Sequence, residues 1–378
     1  MIRFYHNPHG TDRIDLPAPS REPHVFHRKL PGYAPTPLVE APSIARTLDV
    51  ERILVKDESD RLGLPSFKIL GASWAAYRAV EERVGVRLDA WDSLEELRGL
   101  LRPLSGLTFV TATDGNHGRA VSRTASWFGL QSKVFVPAGT VAARIEAIES
   151  EGAEVTTVDG DYDAAVAVAA AEAGEDTWLI QDTAWPGYEV VPGWIVEGYS
   201  TMFWEVEEQL VRLGYPHPTL VIVQIGVGSL AAAAVRFYRA RGRESVPYLL
   251  GVEPEGAACV FESVRAGKRI TIPGPHRSVM AGLNCGTASS IALPLLMQGI
   301  DAFTVVDDEG AFEAMHHMAA DGIVSGESGS AGLAGLLHLH AFLEQAADLP
   351  PLYENGTVLI ISTEGITDPE LYRRVVPE

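Results

Sequence analysis

The segment LVIVQIGVGSLAAAAVRFYRARG, residues 220–242, decides the fold of this 378-residue chain. An apolar run, two closely spaced glycines and an alanine-rich stretch follow one another, and this order predicts a buried strand, a turn and a helix. Gln224, Gly226 and Gly228 interrupt the run before it reaches the length of a membrane-spanning helix. We therefore expect one repeat of a parallel α/β sheet here and no membrane segment.

The same order of strand, turn and helix recurs along the chain and predicts the α/β class, with parallel sheets covered by helices on both faces. The predicted strands cover residues 108–113, 133–137, 154–158, 220–225 and 248–253. They fall into two groups, so we expect a smaller domain inserted in a larger one and a ligand site in the cleft between them. The predicted bounds are residues 1–85 and 199–378 for the larger domain and residues 86–198 for the smaller one.

Composition limits the classes of function. The chain is 46% hydrophobic and 21% charged, which is typical of a soluble globular protein of about two domains. The net charge of -20 would repel phosphate backbones, so we expect no nucleic-acid partner. Two cysteines cannot build a disulfide framework and suit the cytoplasm. The first twenty residues lack the apolar core of a signal peptide.

The glycine-containing turn at residues 226–230 has the features of a phosphate-binding loop. Glycine lets the backbone approach a phosphate closely, and a helix N-terminus directs N–H groups and a positive dipole end at it. Gly226 and Gly228 also match two glycines of a dinucleotide fingerprint, and Glu253 stands where a ribose-binding acid would lie. Ala231 replaces the third glycine. Phosphate binding is therefore predicted, and the dinucleotide alternative stays open.

A second polar loop, TATDGNHG at residues 111–118, lies between a predicted strand and a helix. It carries three polar side chains, Asp114, Asn116 and His117, which is more than a helix cap needs, so we predict a ligand-binding role for the loop. The chain has no Gly-x-Ser-x-Gly elbow, which leaves a serine hydrolase unsupported. The histidines do not occur at ligand spacing, so no metal site is expected.

Lys68 lies in the segment GLPSFKILGAS, residues 63–73, between an aromatic residue and an apolar pair. A lysine in such a place commonly packs its stem and extends its ammonium to water. Partly apolar surroundings can instead keep the amine neutral, which makes it available as a nucleophile or base. This segment alone favours the first interpretation.

The three features together resemble a known family. A lysine after Ser-Phe, an Asp-Gly-Asn-His-Gly loop and a glycine turn after a buried strand resemble the fold type II pyridoxal 5′-phosphate enzymes, which include threonine dehydratases and tryptophan synthase β chains. Within that family the chain is similar to the diaminopropionate ammonia-lyases. The segments that match are KDESDRLGLPSFKILGAS, TATDGNHGRAVS, QDTAWPGYEVVPGWIVEGYSTM, GVGSLAAA, MAGLNCG, SGESGSAGL and ISTEGITDPELYR. The resemblance implies a tryptophan synthase β-like fold with two open, twisted, mostly parallel sheets.

The resemblance also implies a role for particular residues. Lys68 would bond the cofactor, pyridoxal 5′-phosphate, as an internal aldimine, and Asn116 would hydrogen-bond its phenolic oxygen. The cofactor phosphate would be held by Gly226, Val227, Gly228, Ser229 and Leu230. A hydroxyl of Ser362 or Thr363 would approach the pyridine nitrogen. The substrate would contact Thr113, Asp114, Gly115, His117 and Asp182.

Asp114 points to the reaction. Dehydratases that act on serine or threonine usually carry a hydroxyl residue at this position, in a loop that receives the substrate carboxylate. A carboxylate here would repel the substrate by about 4 kcal/mol at ~4 Å and an effective dielectric of roughly 20, unless a cationic substrate group compensates. The β-ammonium of 2,3-diaminopropionate supplies that charge. We therefore predict α,β-elimination to pyruvate and two ammonia, with Lys68, Asp114 and Asp182 as catalytic residues.

Other functions remain open on this evidence. The same scaffold could serve a serine or threonine dehydratase, or a lyase of another β-substituted amino acid. A nicotinamide-dependent oxidoreductase and a non-catalytic ligand-binding protein are the alternatives from other classes. The expected partner is a small amino acid, with no nucleic acid and no membrane. Because fold type II enzymes are usually dimers, we expect a cytoplasmic homodimer.

Overall fold

The computed structural model describes residues 3–88, 90–113, 115–243, 245–345 and 356–377, without the side chains of residues 344 and 345. The chain forms two compact units. The larger unit contains Met1–Pro19, Pro35–Asp60 and Met202–Glu378, and the smaller unit contains Ser20–Ala34 and Arg61–Thr201. In these described ranges, every helix is too short or too polar to cross a lipid bilayer.

Strands and helices alternate along most of the chain, as the apolar pattern predicts. The strands are β1 (Arg3–His6), β2 (Leu38–Glu40), β3 (Arg52–Asp57), β4 (Thr108–Ala112), β5 (Gln131–Pro137), β6 (Glu154–Val158), β7 (Thr177–Leu179), β8 (Leu220–Gln224), β9 (Tyr248–Pro254), β10 (Ala302–Val306) and β11 (Thr357–Ser362). The α-helices are α1 (Glu22–His27), α2 (Pro42–Thr47), α3 (Lys68–Val84), α4 (Leu94–Leu101), α5 (Asn116–Phe128), α6 (Ala142–Glu149), α7 (Tyr162–Ala171), α8 (Val190–Leu213), α9 (Ser229–Tyr238), α10 (Cys259–Ala266), α11 (Ala292–Gly299), α12 (Asp308–Ala320), α13 (Glu327–Gln345) and α14 (Pro369–Val375).

A seven-stranded sheet organises the larger unit, in the order β1-β10-β9-β8-β11-β3-β2. The inner strands pair in parallel, whereas the edge strands β1 and β2 pair antiparallel to their neighbours. Every residue of β8, β10 and β11 is buried, as expected for central parallel strands. Because β8 and β11 are parallel neighbours, the loops that follow them leave the same edge of the sheet.

A four-stranded parallel sheet organises the smaller unit, in the order β6-β5-β4-β7. Since β4 and β7 are parallel neighbours, the chain leaves the same edge of the sheet after Ala112 and after Leu179. Together with the larger sheet, this confirms the predicted α/β class with two mostly parallel sheets.

The division between the units differs from the predicted domain bounds. The prediction places residues 20–34, 61–85 and 199–201 with the larger domain, whereas these residues belong to the smaller unit. The physical reason is the apolar face of α3: Ile69, Ala72 and Val80 share one core cluster with Val121 of α5 and Phe109 of β4. The local sequence of a helix does not show which of two cores the helix packs against, so this boundary could not be predicted from the apolar pattern.

Two glycines let α3 and α8 approach closely within the smaller unit. A Cβ added at Gly198 would lie 2.4 Å from the Leu70 carbonyl oxygen, and one at Gly71 would lie 2.6 Å from the ring of Tyr199. The Leu70 carbonyl also accepts a hydrogen bond from His27 Nε2 at 2.9 Å. The first turn of α3 is therefore held by backbone contact, and this turn begins at Lys68.

Candidate active site

Lys68 is paired with a carboxylate in the smaller unit. Its Nζ donates to Oδ2 of Asp182 at 2.7 Å, and the two side chains are 19% and 4% exposed. The Lys68 ammonium also lies 5.6 Å from the centre of the Phe67 ring. The sequence singled out both residues of this pair, and the structure brings them together although 114 positions separate them in the chain.

Asp182 lies in the loop after β7 and is buried at 3% exposure. Burial by itself would raise the pKa of this carboxyl, but the Lys68 ammonium, the neighbouring His117 and the hydrogen bonds from Lys68 and Tyr162 outweigh it and hold the pKa well below its usual range. Asp182 is therefore a carboxylate at any pH at which the protein would work. Such a group is suited to holding a cation and is a weak base.

His117, in the first turn of α5, lies beside the same carboxylate. Its Nε2 is 2.8 Å from the Ile180 carbonyl, which can only accept, so Nε2 carries the proton. Its Nδ1 lies 3.8 Å from Asp182 Oδ2. Burial is the main cause that lowers the pKa of His117, so the ring is neutral near pH 7 and Nδ1 presents a lone pair.

The other predicted substrate residues lie in the loop between β4 and α5. Asp114 falls outside the described residues, so its role stays a prediction. Thr113 is buried, and its hydroxyl accepts from the Gly115 N–H at 2.9 Å. Asn116 is the first residue of α5. A Cβ at Gly118 would lie 2.4 Å from Thr113 Cγ2, so glycine is required for this tight turn.

Two residues that the sequence analysis did not select complete the surroundings of Asp182. Tyr162 donates its hydroxyl proton to Asp182 Oδ1 at 3.2 Å, and Gln181 Nε2 donates to the Tyr162 oxygen at 2.8 Å. Gln181 is adjacent to Asp182 in the sequence, which is a weak signal. Tyr162 begins α7, twenty residues away, and nothing in its local sequence marks it.

The predicted phosphate loop, residues 226–230, connects β8 to α9 in the larger unit. Gly228 is the N-cap of α9 at φ +101°, so this position favours glycine and offers no side chain to the first-turn N–H groups. A Cβ at Gly226 would lie 3.0 Å from the Gly282 carbonyl oxygen and 3.3 Å from Cys285 Sγ. A larger residue at position 226 would thus crowd Gly282 and Cys285.

Ser362 and Thr363 follow β11 in the larger unit, and both are buried. Ser362 Oγ donates to Ser325 Oγ at 2.9 Å, and Thr363 Oγ1 accepts from Gln224 Nε2 at 2.9 Å. The structure thus places Gln224, the last residue of β8, and Ser325, from the loop before α13, beside the hydroxyl groups that the sequence selected. It does not decide between Ser362 and Thr363.

Glu253 has a structural role that removes the main support for a dinucleotide site. It is buried at 1% exposure and accepts the N–H groups of Val260 and Phe261 at 2.9 and 2.6 Å. These donors lie in the first turn of α10, so the carboxyl caps a helix. A ribose-binding acid would instead have to present its oxygens to a ligand.

Comparison with known proteins identifies the family. The profile described as "Pyridoxal-phosphate dependent enzyme" matches residues 29–363. The chain belongs to the pyridoxal-phosphate-dependent enzymes. It is 37% identical to diaminopropionate ammonia-lyase of Salmonella typhimurium over 364 residues, which cover 93% of this chain and 90% of the relative. The corresponding enzyme of Escherichia coli K12 is 35% identical over 365 residues, with the same shares.

A solved structure agrees with this assignment. The crystal structure of the Escherichia coli diaminopropionate ammonia-lyase in complex with an aminoacrylate-PLP azomethine reaction intermediate has a TM-score of 0.88 to this chain, at 32% identity. The match covers 100% of this chain and 97% of that one. The predicted fold type II architecture is therefore confirmed.

The residues present fit the cofactor of this family. Lys68 offers an amine, residues 226–230 offer a glycine cradle at the N-terminus of a ten-residue helix, and Ser362 and Thr363 offer hydroxyl groups. The loop has no room for a side chain at Gly226, where an added Cβ would lie 3.0 Å from the Gly282 carbonyl oxygen, and Gly228 leaves the first-turn N–H groups of the helix without a side-chain cap. Pyridoxal phosphate supplies the aldehyde that bonds an amino group and the ring that stabilises a carbanion.

Proposed function

We propose that this chain removes ammonia from 2,3-diaminopropionate in a reaction that depends on pyridoxal phosphate. With one water, the substrate yields one pyruvate and two ammonia. The relatives named above support this substrate by their activity. The observation within this chain that carries the proposal is the 2.7 Å pair of Lys68 and the ionised Asp182.

In this proposal Lys68 bonds the cofactor, and Lys68 or Asp114 removes the α-proton of the substrate, depending on which enantiomer is bound. Asp182 holds cationic nitrogen: the Lys68 ammonium when no substrate is bound, and the β-ammonium of diaminopropionate during turnover. A carboxylate with a low pKa suits this task because it stays charged. His117, neutral and with its Nδ1 lone pair beside Asp182, can accept a hydrogen bond from the same ammonium.

Asp114 would add a second negative charge near the substrate, and residues 226–230 would bind the cofactor phosphate. Asn116 would contact the phenolic oxygen, and Ser362 or Thr363 the pyridine nitrogen. Thr113 and Gly115 would receive the substrate carboxylate. These assignments rest on the sequence motifs and on the positions of the motifs at the ends of parallel strands.

The test is an assay of both pyruvate and ammonia on purified protein supplied with pyridoxal phosphate. We expect two ammonia per pyruvate from diaminopropionate, and each enantiomer should be tried. Lys68→Ala should abolish turnover and the visible absorbance of the lysine-bound cofactor, and the matched control Lys268→Ala, at an exposed position, should leave both intact. Protein that stays colourless and inert with added cofactor would contradict the proposal.

Dehydration of serine is the alternative on the same scaffold. It releases one ammonia per pyruvate, so the ratio of products separates the two reactions. We expect kcat/KM to be at least roughly tenfold higher for diaminopropionate, because only this substrate places a cation against Asp182. A higher value for serine would show that the carboxylates do not select the substrate.

We also propose that the protein works in the cytoplasm as a homodimer. The support is the acidic composition with only two cysteines, together with the usual dimeric state of fold type II enzymes. Light scattering coupled to size-exclusion chromatography measures the mass directly. A mass near that of one 40.7 kDa chain would contradict the dimer.

A further inference from the structure

Gln181 is fully buried and its amide has only one possible orientation. Its Oε1 lies 2.9 Å from the Ala112 N–H and 2.9 Å from the Thr111 hydroxyl. A backbone N–H can only donate, so the atom that faces β4 must be the amide oxygen. The amide nitrogen must therefore point the other way, toward α7.

This orientation determines the direction of the Tyr162 hydroxyl. Gln181 Nε2 lies 2.8 Å from the Tyr162 oxygen, and an amide nitrogen can only donate, so the tyrosine oxygen accepts there. The hydroxyl proton then lies on another side of that oxygen. Asp182 Oδ1 is 3.2 Å from it and receives this proton, and Gln181 Nε2 itself lies 3.4 Å from the same Oδ1.

We propose that Gln181 is a positioning residue for the proposed elimination: it directs the Tyr162 hydroxyl at Asp182, so that Oδ1 is occupied and Oδ2 is left to hold the reacting ammonium. The inference rests on the proposed function, because it assigns Asp182 to that reaction. Oδ2 is the oxygen that meets Lys68 at 2.7 Å. The chain from Ala112 through Gln181 and Tyr162 thus connects the rigid sheet to the carboxylate.

The need for such a donor follows from the charges around Asp182. The titratable groups that face it are Lys68, His117 and Tyr162, and Tyr188 and Tyr199 lie near enough to interact electrostatically; Asp114 is outside the described residues. The charge of Lys68 changes during turnover, whereas Tyr162 keeps its proton. A hydrogen bond from a group that does not react keeps Asp182 ionised throughout.

The decisive variant is Gln181→Glu, which keeps the size of the side chain and reverses its polarity. One carboxylate oxygen still accepts from β4, but the other now accepts the Tyr162 proton, so the hydroxyl turns away from Asp182. A second variant, Tyr162→Phe, removes the donor without placing a charge in the interior, and it provides the test if Gln181→Glu does not fold.

The main readout does not need activity. Carbon-13 NMR of aspartate-labelled, cofactor-free protein follows the Asp182 carboxyl, which Asp182→Asn assigns. We expect the Asp182 pKa to rise by about one pH unit in Tyr162→Phe and by more in Gln181→Glu. A purely structural role for Gln181 would leave the titration of the Asp182 carboxyl unchanged.

The double variant separates positioning from a direct charge effect. If Gln181→Glu acts through Tyr162, its shift of the Asp182 pKa is smaller when Tyr162 is already Phe. An equal shift in both backgrounds, or none in Tyr162→Phe, overturns the inference. If the wild type does not turn over diaminopropionate but the NMR shifts appear, the proposed function fails and the positioning role stands.

Discussion

The contact between α3 and α8 predicts that two glycines of one helix respond in opposite ways to the same substitution. In Gly198→Ala, the new Cβ would lie 2.4 Å from the Leu70 carbonyl oxygen and 2.9 Å from Gly71 Cα. Both neighbours are backbone, so no side chain can rotate away. In Gly193→Ala, no heavy atom lies within 4 Å of the new Cβ. The second variant is therefore a matched control on the same helix.

The size of the effect follows from these distances. An ordinary Cβ contact begins at 3.4 Å, so the contact at Gly198 must lengthen by about 1 Å. Overpacking of this kind costs about 1–3 kcal/mol, against a helix-propensity gain of up to about 1 kcal/mol. For a unit of this size, 1 kcal/mol moves the melting temperature by roughly 2–4 °C. We expect Gly198→Ala to melt several degrees below the wild type and Gly193→Ala at or slightly above it.

Thermal unfolding of both variants, followed by circular dichroism at one scan rate, measures the difference. Turnover provides a second reading: Leu70 is two residues from Lys68, and its carbonyl is also bonded to His27, so a shifted first turn of α3 should lower kcat. The reasoning is refuted if Gly198→Ala is as stable and as active as Gly193→Ala. That result would mean that the close backbone approach of the two helices does not exist in solution.

Three further predictions concern the site. Asp182→Asn should keep the cofactor absorbance but lower kcat/KM on diaminopropionate by roughly 10³-fold, because the loss of one charge contact of about 4 kcal/mol corresponds to that factor. A loss of less than tenfold would contradict the contact. Burial holds the pKa of His117 below its ordinary value, so as the pH falls from about 7 to 5 the unfolded chain takes up a proton before the folded chain does, and the free energy of unfolding decreases. In His117→Asn this decrease should be smaller by up to about 2 kcal/mol. Urea unfolding of both proteins at the two pH values measures the difference. Gly226→Ala should weaken cofactor binding about tenfold in an absorbance titration, whereas Gly256→Ala, where no heavy atom lies within 4 Å of the new Cβ, should not change it.

The local apolar pattern was sufficient to locate the strands that it predicted. The predicted strand at residues 154–158 is β6, with the same bounds, and the strand that opens the phosphate loop is β8. The order of the strands in the sheet could not be predicted in this way. β11 lies between β8 and β3, and this pairing joins residues more than 130 positions apart. Such contacts depend on the packing of the whole unit, so no local pattern contains them.

The site shows the same limit at the level of side chains. Lysine, aspartate and glycine in loops carry their chemistry in their residue type, so Lys68, Asp182 and Gly226 could be selected from the sequence. Gln181 and Tyr162 act through the direction of one hydrogen bond, which only the folded geometry fixes. The sequence also did not indicate that Asp182 is the partner of Lys68, because its pattern suggested apolar surroundings for the amine.

The low pKa of Asp182 decides what this carboxylate can do. A carboxyl whose pKa is held well below its usual range is a weak base, so it is poorly suited to remove the α-proton of a substrate. It is well suited to hold an ammonium, which is what it does with Lys68. A base would serve serine and diaminopropionate equally, whereas a holder of cations serves only the substrate that carries a second ammonium. The loss of kcat/KM in Asp182→Asn should therefore be much larger on diaminopropionate than on serine, and equal losses would assign the carboxylate to proton transfer instead.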